Sequence, residues 1–408
     1  MKYSIEEVLQ YVSEDEVNFI NLVFCDIYGT PKNISIMPSE LNRAFEHGIA
    51  IDGSAVRGFG REVTSDLFLW PEPDTLQSLP RRPEYGHGVR MFCTVKYPSG
   101  KVFENDTRYI LKKAVKDAEE QGLTFSFGSE MEFYLFRLDE YGKPTKEPLD
   151  YAGYMDITPD DRCENVRREI CLQLAQMGIL PESSHHEEGP GQNEIDFRYS
   201  DALSAADNTM AFRNIVKTVA QKNGLFADFS PKPLDDYPGN GFHINISAKR
   251  NDAQDDPMTF VIAGILDKIS DITAFLNPCE KSYKRLGFDK APKYISWSAE
   301  NRSQLIRIPA AHGEYRRAEL RSPDPCANPY LAFALLIYAG MHGVNSRLEL
   351  PMAVNMNLFT ANHSLLSSIQ SLPDTLKTAS EIASKSEFVK NHLPEMLIRA
   401  YCGKGDNE

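Results

Sequence analysis

Gly128-Ser129-Glu130-Met131-Glu132-Phe133 sets two carboxylates on alternate positions with apolar residues between them. Successive side chains of a strand point to opposite faces, so one face carries Glu130 and Glu132 and the other carries Met131 and Phe133. The same alternation returns in Glu194-Ile195-Asp196-Phe197-Arg198, His243-Ile244-Asn245-Ile246-Ser247 and Arg317-Ala318-Glu319-Leu320-Arg321. Any antiparallel sheet with one solvated face alternates in this way, usually with Thr, Lys and Ser on the wet side. Four stretches that instead carry Glu, His and Arg imply a polar face lining a site, with the apolar face packed on a core.

Charge narrows what that site holds. With Glu187 added, five glutamates, Glu130, Glu132, Glu187, Glu194 and Glu319, would converge, and two carboxylates about 5 Å apart repel by roughly 3 kcal/mol at an effective dielectric near ~20. Such a cluster calls for cations. Oxygen donors with one imidazole suit Mg²⁺ or Mn²⁺, and the chain lacks the Cys-x-x-Cys and His-Glu-x-x-His patterns of zinc sites.

A length of 408 residues with 42% hydrophobic content predicts two or three domains with full cores. The net charge of −14 argues against a nucleic-acid partner, which needs a basic face. A nucleotide would have to be held by metal and by local arginines, which gather late in the chain at Arg285, Arg302, Arg307, Arg316, Arg317 and Arg321. Seven cysteines without framework spacing read as reduced and structural, which fits a cytoplasmic protein. The N-terminus has no signal-peptide core. The longest apolar run, Tyr330 to Met341, is too short to span a bilayer and predicts a buried helix, so no membrane partner is expected.

Along the chain, Phe19–Phe24 and Asn33–Ile36 flank a turn at Tyr28-Gly29-Thr30-Pro31 and predict a hairpin. A further strand is expected at Val89–Val95. A helix capped by Asp106 or Thr107 and ended by Gly122 follows a linker, which places the domain boundary between residues 14–98 and 105–408. Other helices are predicted at about 164–177, 207–223, 257–276, 328–343 and 375–390. Neither a Walker loop nor a dinucleotide fingerprint occurs.

At these residues the chain resembles the glutamine synthetase family, type I. The resemblance rests on Asp52-Gly53-Ser54, Ser184-His185-His186-Glu187, Gly191-Gln192-Asn193-Glu194, Gly241-Phe242-His243, Ser282-Tyr283-Lys284-Arg285-Leu286, Trp297-Ser298-Ala299-Glu300-Asn301-Arg302-Ser303 and Glu319-Leu320-Arg321-Ser322-Pro323-Asp324-Pro325, in the family's order. It implies an α+β chain with an N-terminal β-grasp domain and a catalytic domain whose antiparallel sheet lines a two-metal site. It further implies a homo-oligomeric ring, hexameric or dodecameric, with sites between neighbouring subunits. Glu132, Glu187 and Glu194 would bind one divalent ion, and Glu130, His243 and Glu319 the second. Tyr199, Asn245, Ser247 and Arg317 would lie on ATP, with Arg302 and Arg307 at its phosphates. Arg285 would hold the α-carboxylate of glutamate, Gly239 would contact the amino acid, and Arg321 would meet the reacting carboxylate. Asp52, from the adjacent subunit, would hold ammonium and take its proton.

The chain departs from the family at three places. The flap Arg285-Leu286-Gly287-Phe288-Asp289-Lys290-Ala291-Pro292 is one residue short and has Lys290 where the family has a Glu that shields the intermediate. Pro238 replaces an Asn expected to reach glutamate. Both changes touch substrate recognition, which raises a γ-glutamyl-amine ligase using a larger amine as an alternative, and a non-catalytic nucleotide-binding homologue as another. The third is the short end after Tyr401-Cys402-Gly403-Lys404, which favours a single hexameric ring.

Overall fold

The polar stretches belong to one sheet whose reverse face is sealed by helices. The structure, a computed structural model, describes residues 3–60, 66–80, 86–251, 256–299, 301–310 and 317–403. Glu300, Arg316 and Lys404 of the sequence reading lie outside them.

The N-terminal sheet is built from β1 (Val17–Cys25), β2 (Pro31–Ile36), β3 (Ile49–Asp52), β4 (Asp66–Pro71), β5 (Gln77–Ser78) and β6 (His87–Lys96). Its order is β2-β1-β6-β4-β3, with β5 also on β6. The expected hairpin is present, with Ile20 opposite Ile36 and Cys25 opposite Pro31. Asp26 closes its turn by accepting from the Tyr28 and Thr30 amides at 3.0 and 2.9 Å.

The second sheet holds β7 (Leu123–Leu138), β8 (Pro144–Pro148), β9 (Pro181–His186), β10 (Gln192–Phe197), β11 (Ser200–Asp201), β12 (Leu225–Asp228), β13 (Phe242–Arg250), β14 (Trp297–Ala299), β15 (Ile306–Ile308) and β16 (Ala318–Leu320). Its main path is β14-β15-β16-β13-β7-β10-β9, antiparallel except for β14 on β15. The apolar residues between the polar ones face helices, as their spacing predicts. Phe127 stacks on Phe333 of helix Pro329–Ser346 with ring centroids 4.3 Å apart, and Phe133 and Phe197 pack on Phe212 of helix Ala202–Lys222. Helix Pro329–Ser346 is the buried helix expected from the Tyr330–Met341 run. It lies so close to helix Met258–Leu276 that a Cβ at Gly264 would come within 2.2 Å of the Ala339 carbonyl. Among the described residues no helix is long and apolar enough to cross a membrane.

Two helix boundaries differ from expectation. The helix predicted from residue 207 begins at Ala202, because Asp201 caps it by accepting from the Ser204 amide. The one predicted over 375–390 is two, Leu376–Lys385 and Glu387–His392, since Ser386 leaves the helical region and caps the second through the Val389 amide.

The junction between the two sheets is ionic. Arg108, on the helix that Asp106 caps, donates to Glu72 at 2.8 Å and to Asp207 at 2.9 Å, and the Tyr330 hydroxyl also donates to Asp207. Burial works to raise the Glu72 pKa, but the charge of Arg108 and hydrogen bonds from Lys112 and Thr94 outweigh it and hold the group down at about 2. A carboxyl with a depressed folded-state pKa stabilises the fold above its ordinary value of 4.5, and that contribution is lost as pH falls toward 2. Glu72→Gln is therefore expected to lower stability at pH 7 by up to roughly 3 kcal/mol, with the difference from the native chain vanishing toward pH 2. Denaturant titrations across that range read it directly; a difference independent of pH would assign Glu72 a neutral packing role.

Candidate active site

Strand register brings the acidic residues into rows. Glu132 pairs with Glu194 across β7 and β10, and Glu130 lies between Asp196 on one side and His243 on the other. Asn245 is opposite Glu319, and Arg307 is opposite Glu319 on the next strand. A two-residue period on four adjacent strands thus concentrates the polar groups on one face.

The potential ligand atoms of Glu130, His243 and Glu319 all lie within 4.8 Å of one another. This trio coincides with one ligand set implied by the resemblance. The other set is spread over two overlapping trios that pivot on Glu194: Glu132, Glu194 and His243, and His185, Glu187 and Glu194. Neighbouring groups orient these side chains. Glu132 accepts from the Gly241 amide at 2.8 Å and from Gln192 Nε2 at 3.0 Å. Glu319 accepts from Arg307 at 2.7 Å and from Arg321 at 3.0 Å, while Asn245 donates to Glu130 and accepts from Arg317.

Electrostatics separate the cluster into two kinds of carboxyl. Burial pushes Glu130 up, yet the hydrogen bond and charge of His243, with Asn245 and Arg317, bring it down to about 2. Burial, then the neighbouring Glu132, raises Glu187 to about 8. Burial with Asp196, Glu132 and Glu130 nearby raises Glu194 well above the carboxylate range, and burial with Glu130 lifts Asp196 to about 7. Burial and mutual repulsion both disfavour the charged form of these crowded carboxyls, and a divalent cation would relieve both, so the donor set fits one.

Two cavities meet at this cluster. The smaller, about 240 Å³, is lined by Gly128, Phe197, Tyr199, Asn245, Ser247 and Arg317 among others. The larger, about 700 Å³, contains Glu132, Glu187, Glu194, His243, Gly239, Arg285, Arg302, Arg307 and Arg321. Glu130, Ser183, Asp196 and Arg317 border both, so the two form one continuous cleft with acid and guanidinium at its neck. In the larger cavity Arg285 is buried, with its guanidinium on the Ser322 carbonyl at 2.7 Å and the Arg321 carbonyl at 3.3 Å. A Cβ on Gly239 would meet the Pro231 carbonyl at 2.3 Å and Arg285 Cγ at 2.9 Å, so only glycine leaves this wall undisturbed.

Among the described residues to which the resemblance gives a role, Asp52 alone stands apart. It lies at the exposed end of β3, where its carboxylate accepts from the Ser54 amide and hydroxyl at 3.0 and 2.6 Å. Within one chain this is an Asp-Gly turn. Three groups in the cleft went unassigned. His185 lies 3.5 Å from Glu194 and 3.6 Å from Glu187, Asp196 borders both cavities, and Gln192 steadies Glu132. His185 and Glu187 share the two-residue alternation that identified the others, and Asp196 shares it with Glu194. In the flap, Lys290 ion-pairs with Glu188, and Asp289 takes a left-handed backbone, φ 48°. The Pro238 carbonyl accepts from the Tyr134 hydroxyl at 2.6 Å.

Removing one charge from the crowded row separates stability from ion binding. Glu194→Gln is expected to keep or raise the melting temperature of the metal-free chain, because a buried repulsion disappears. The rise in melting temperature produced by millimolar Mn²⁺ in the native chain should be lost or much reduced. An undiminished Mn²⁺ response in the variant would remove Glu194 from the ligand set.

Comparison with known proteins follows the same geometry. The family description for the glutamine synthetase β-grasp domain matches residues 16–98, and that for the glutamine synthetase catalytic domain matches residues 104–408. The chain is 42% identical to a glutamine synthetase of Clostridium saccharobutylicum, covering 98% of this chain and 94% of that one. It is 43% identical to one of Methanosarcina mazei, over 98% and 93%. Among solved structures it is similar to one described as a GmaS/ADP complex, with TM-score 0.87 and 27% identity over 97% of this chain and 94% of the other. It also shares the fold of Plasmodium falciparum glutamine synthetase, with TM-score 0.85 and 23% identity over 98% and 95%. With both domain types in order and such identity along nearly the whole length, the chain belongs to the glutamine synthetase family.

Proposed function

We propose that the chain is an ATP-dependent ligase that joins glutamate and ammonia into glutamine through a γ-glutamyl phosphate intermediate. The observation that carries this reading is the continuous cleft: the Tyr199, Asn245 and Ser247 cavity at one end, the Arg285, Arg321 and Gly239 wall at the other, and the acidic cluster between them. ADP in the similar GmaS structure supports nucleotide binding in this fold.

A carboxylate does not react with an amine at neutral pH because oxide is a poor leaving group, so ATP must first activate it. In this reading the adenine and ribose occupy the smaller cavity against Tyr199, Asn245, Ser247 and Arg317, which points the phosphates through the neck. Arg302 and Arg307 then lie along the phosphate path. Two Mg²⁺ or Mn²⁺ ions, one with Glu132, Glu187 and Glu194 and the other with Glu130, His243 and Glu319, would neutralise charge on the transferring phosphoryl group. Arg285 binds the α-carboxylate of glutamate and Arg321 the carboxylate to be phosphorylated, so the reacting oxygen and the terminal phosphate meet at the cluster. Attack on the acyl phosphate needs a neutral amine. Asp52, supplied by a neighbouring copy of the chain in a ring, would hold ammonium and accept its proton.

A second reading, a γ-glutamyl-amine ligase for a larger amine, is favoured by one feature of the cleft. Lys290 and Pro238 border the amino-acid end, where the resemblance implies an acid and an amide. Lys290 opposes ammonium less than an unpaired lysine would, since Glu188 engages its charge.

Phosphate release from ATP and glutamate, measured with ammonium, hydroxylamine and a panel of primary amines, decides between them. Ammonium is expected to be the best acceptor. A larger amine with clearly higher kcat/KM would establish the second reading, and failure of every acceptor to stimulate phosphate release would contradict both.

A further inference from the structure

Two of the seven cysteines stand side by side behind the amino-acid end of the cleft. Cys279 precedes the short helix Glu280–Arg285, whose last residue is Arg285, and Cys326 lies in the loop that leaves Arg321 and Ser322. Their sulfurs and a carboxylate oxygen of Asp324 are all within 4.8 Å of one another. Both cysteines are half-buried, unlike the buried Cys25, Cys93 and Cys163. The Cys279 sulfur also lies 3.3 Å from the Ser282 hydroxyl. Asp324 is fully buried, and its two oxygens accept from Asn277 Nδ2 at 2.9 Å and from the Cys326 amide at 3.0 Å. It is thus engaged in holding the two segments together rather than free to bind an ion.

We propose that Cys279 and Cys326 are a redox-sensitive thiol pair, oxidised by peroxide to a reversible disulfide that impairs amino-acid binding. The neighbouring Cys326 sulfur draws the Cys279 thiol below its usual pKa, and Cys279 in turn raises that of Cys326, which makes Cys279 the attacking sulfur. The Cys279 thiolate attacks one peroxide oxygen, the O–O bond breaks, and hydroxide leaves, giving a sulfenic acid. The Cys326 sulfur then attacks the sulfenic sulfur; the S–S bond forms, the S–O bond breaks, and the thiol proton leaves with the hydroxyl as water. Overall, two thiols and one hydrogen peroxide give one disulfide and two waters.

Closing the sulfurs to about 2.05 Å draws the start of the helix toward the loop. Arg285 is the contact that feels this first, because its guanidinium rests on the Ser322 and Arg321 carbonyls of that same loop. A displacement of about 1 Å in such positioning groups is expected to lower kcat/KM for glutamate by roughly ten- to a hundredfold, chiefly through KM.

The activity arm rests on the ligase reading above; the thiol arm does not. The folded full-length chain is treated with hydrogen peroxide, its remaining thiols are alkylated, and it is digested without reduction. The expected result is a peptide joining Cys279 to Cys326, a raised KM for glutamate reversed by dithiothreitol, and resistance of both Cys279→Ser and Cys326→Ser to peroxide. Full alkylation of both thiols after treatment, or equal inactivation of the serine variants, would overturn the proposal. A bridge that forms without changing KM would overturn its effect on binding. A chain with no ligase activity before treatment would count against the ligase reading, while the peptide map still decides whether the pair oxidises.

Discussion

Mutual repulsion among carboxylates that the sheet forces together is the constraint on which the site depends. Strand pairing leaves Glu130, Glu132 and Glu194 no means of spreading apart, because their apolar neighbours Met131, Phe133 and Ile195 are fully buried on the opposite face. A one-residue slip in register would relieve the charge only by exposing that core. The fold therefore holds an unfavourable charge arrangement in place, which with burial pushes Glu187 and Glu194 above the usual carboxylate range. A divalent cation placed among these oxygens would relieve that repulsion.

The arginines complete this logic. Arg307 and Arg321 both hold Glu319, and Arg317 reaches Glu130 through Asn245, so guanidinium groups lie along the same cleft as the acids. A nucleotide triphosphate passing through the neck would meet positive charge from these side chains and from any ions beside them. The wall proposed for the amino acid is built differently: Arg285 is seated on backbone carbonyls, and Gly239 keeps the wall beside it clear. In the proposed reading, recognition of the amino acid would thus depend on the placement of two chain segments, Glu280–Arg285 and the loop after β16, and less on single side chains.

Much of this was legible in the sequence because period-two alternation survives translation into three dimensions. Glu130, Glu132, Glu194, His243, Asn245, Ser247, Arg317, Glu319 and Arg321 were all identified by alternation, and strand pairing brings them to one cleft. The helix after Asp106 and the buried helix after Asn328 were equally plain, each with a capping side chain at its start. Other features depend on tertiary contacts that local pattern does not encode. Ser386 divides a helix whose apolar periodicity runs across the break. The Glu72–Arg108–Asp207 network joins residues far apart in the chain, and the Cys279–Cys326 pair emerges only once β16 and the short helix are packed together. Asp52 shows the opposite case, a residue marked by resemblance whose single-chain surroundings are an ordinary turn.

The central claim is that the acidic face holds two ions in a defined arrangement. Anomalous scattering from crystals of the chain grown with Mn²⁺ and ADP tests it most directly. The account predicts two manganese peaks in the neck of the cleft, one bonded to Glu132, Glu187 and Glu194 and the other to Glu130, His243 and Glu319. Peaks confined to other parts of the surface, or none in the cleft at saturating Mn²⁺, would contradict it.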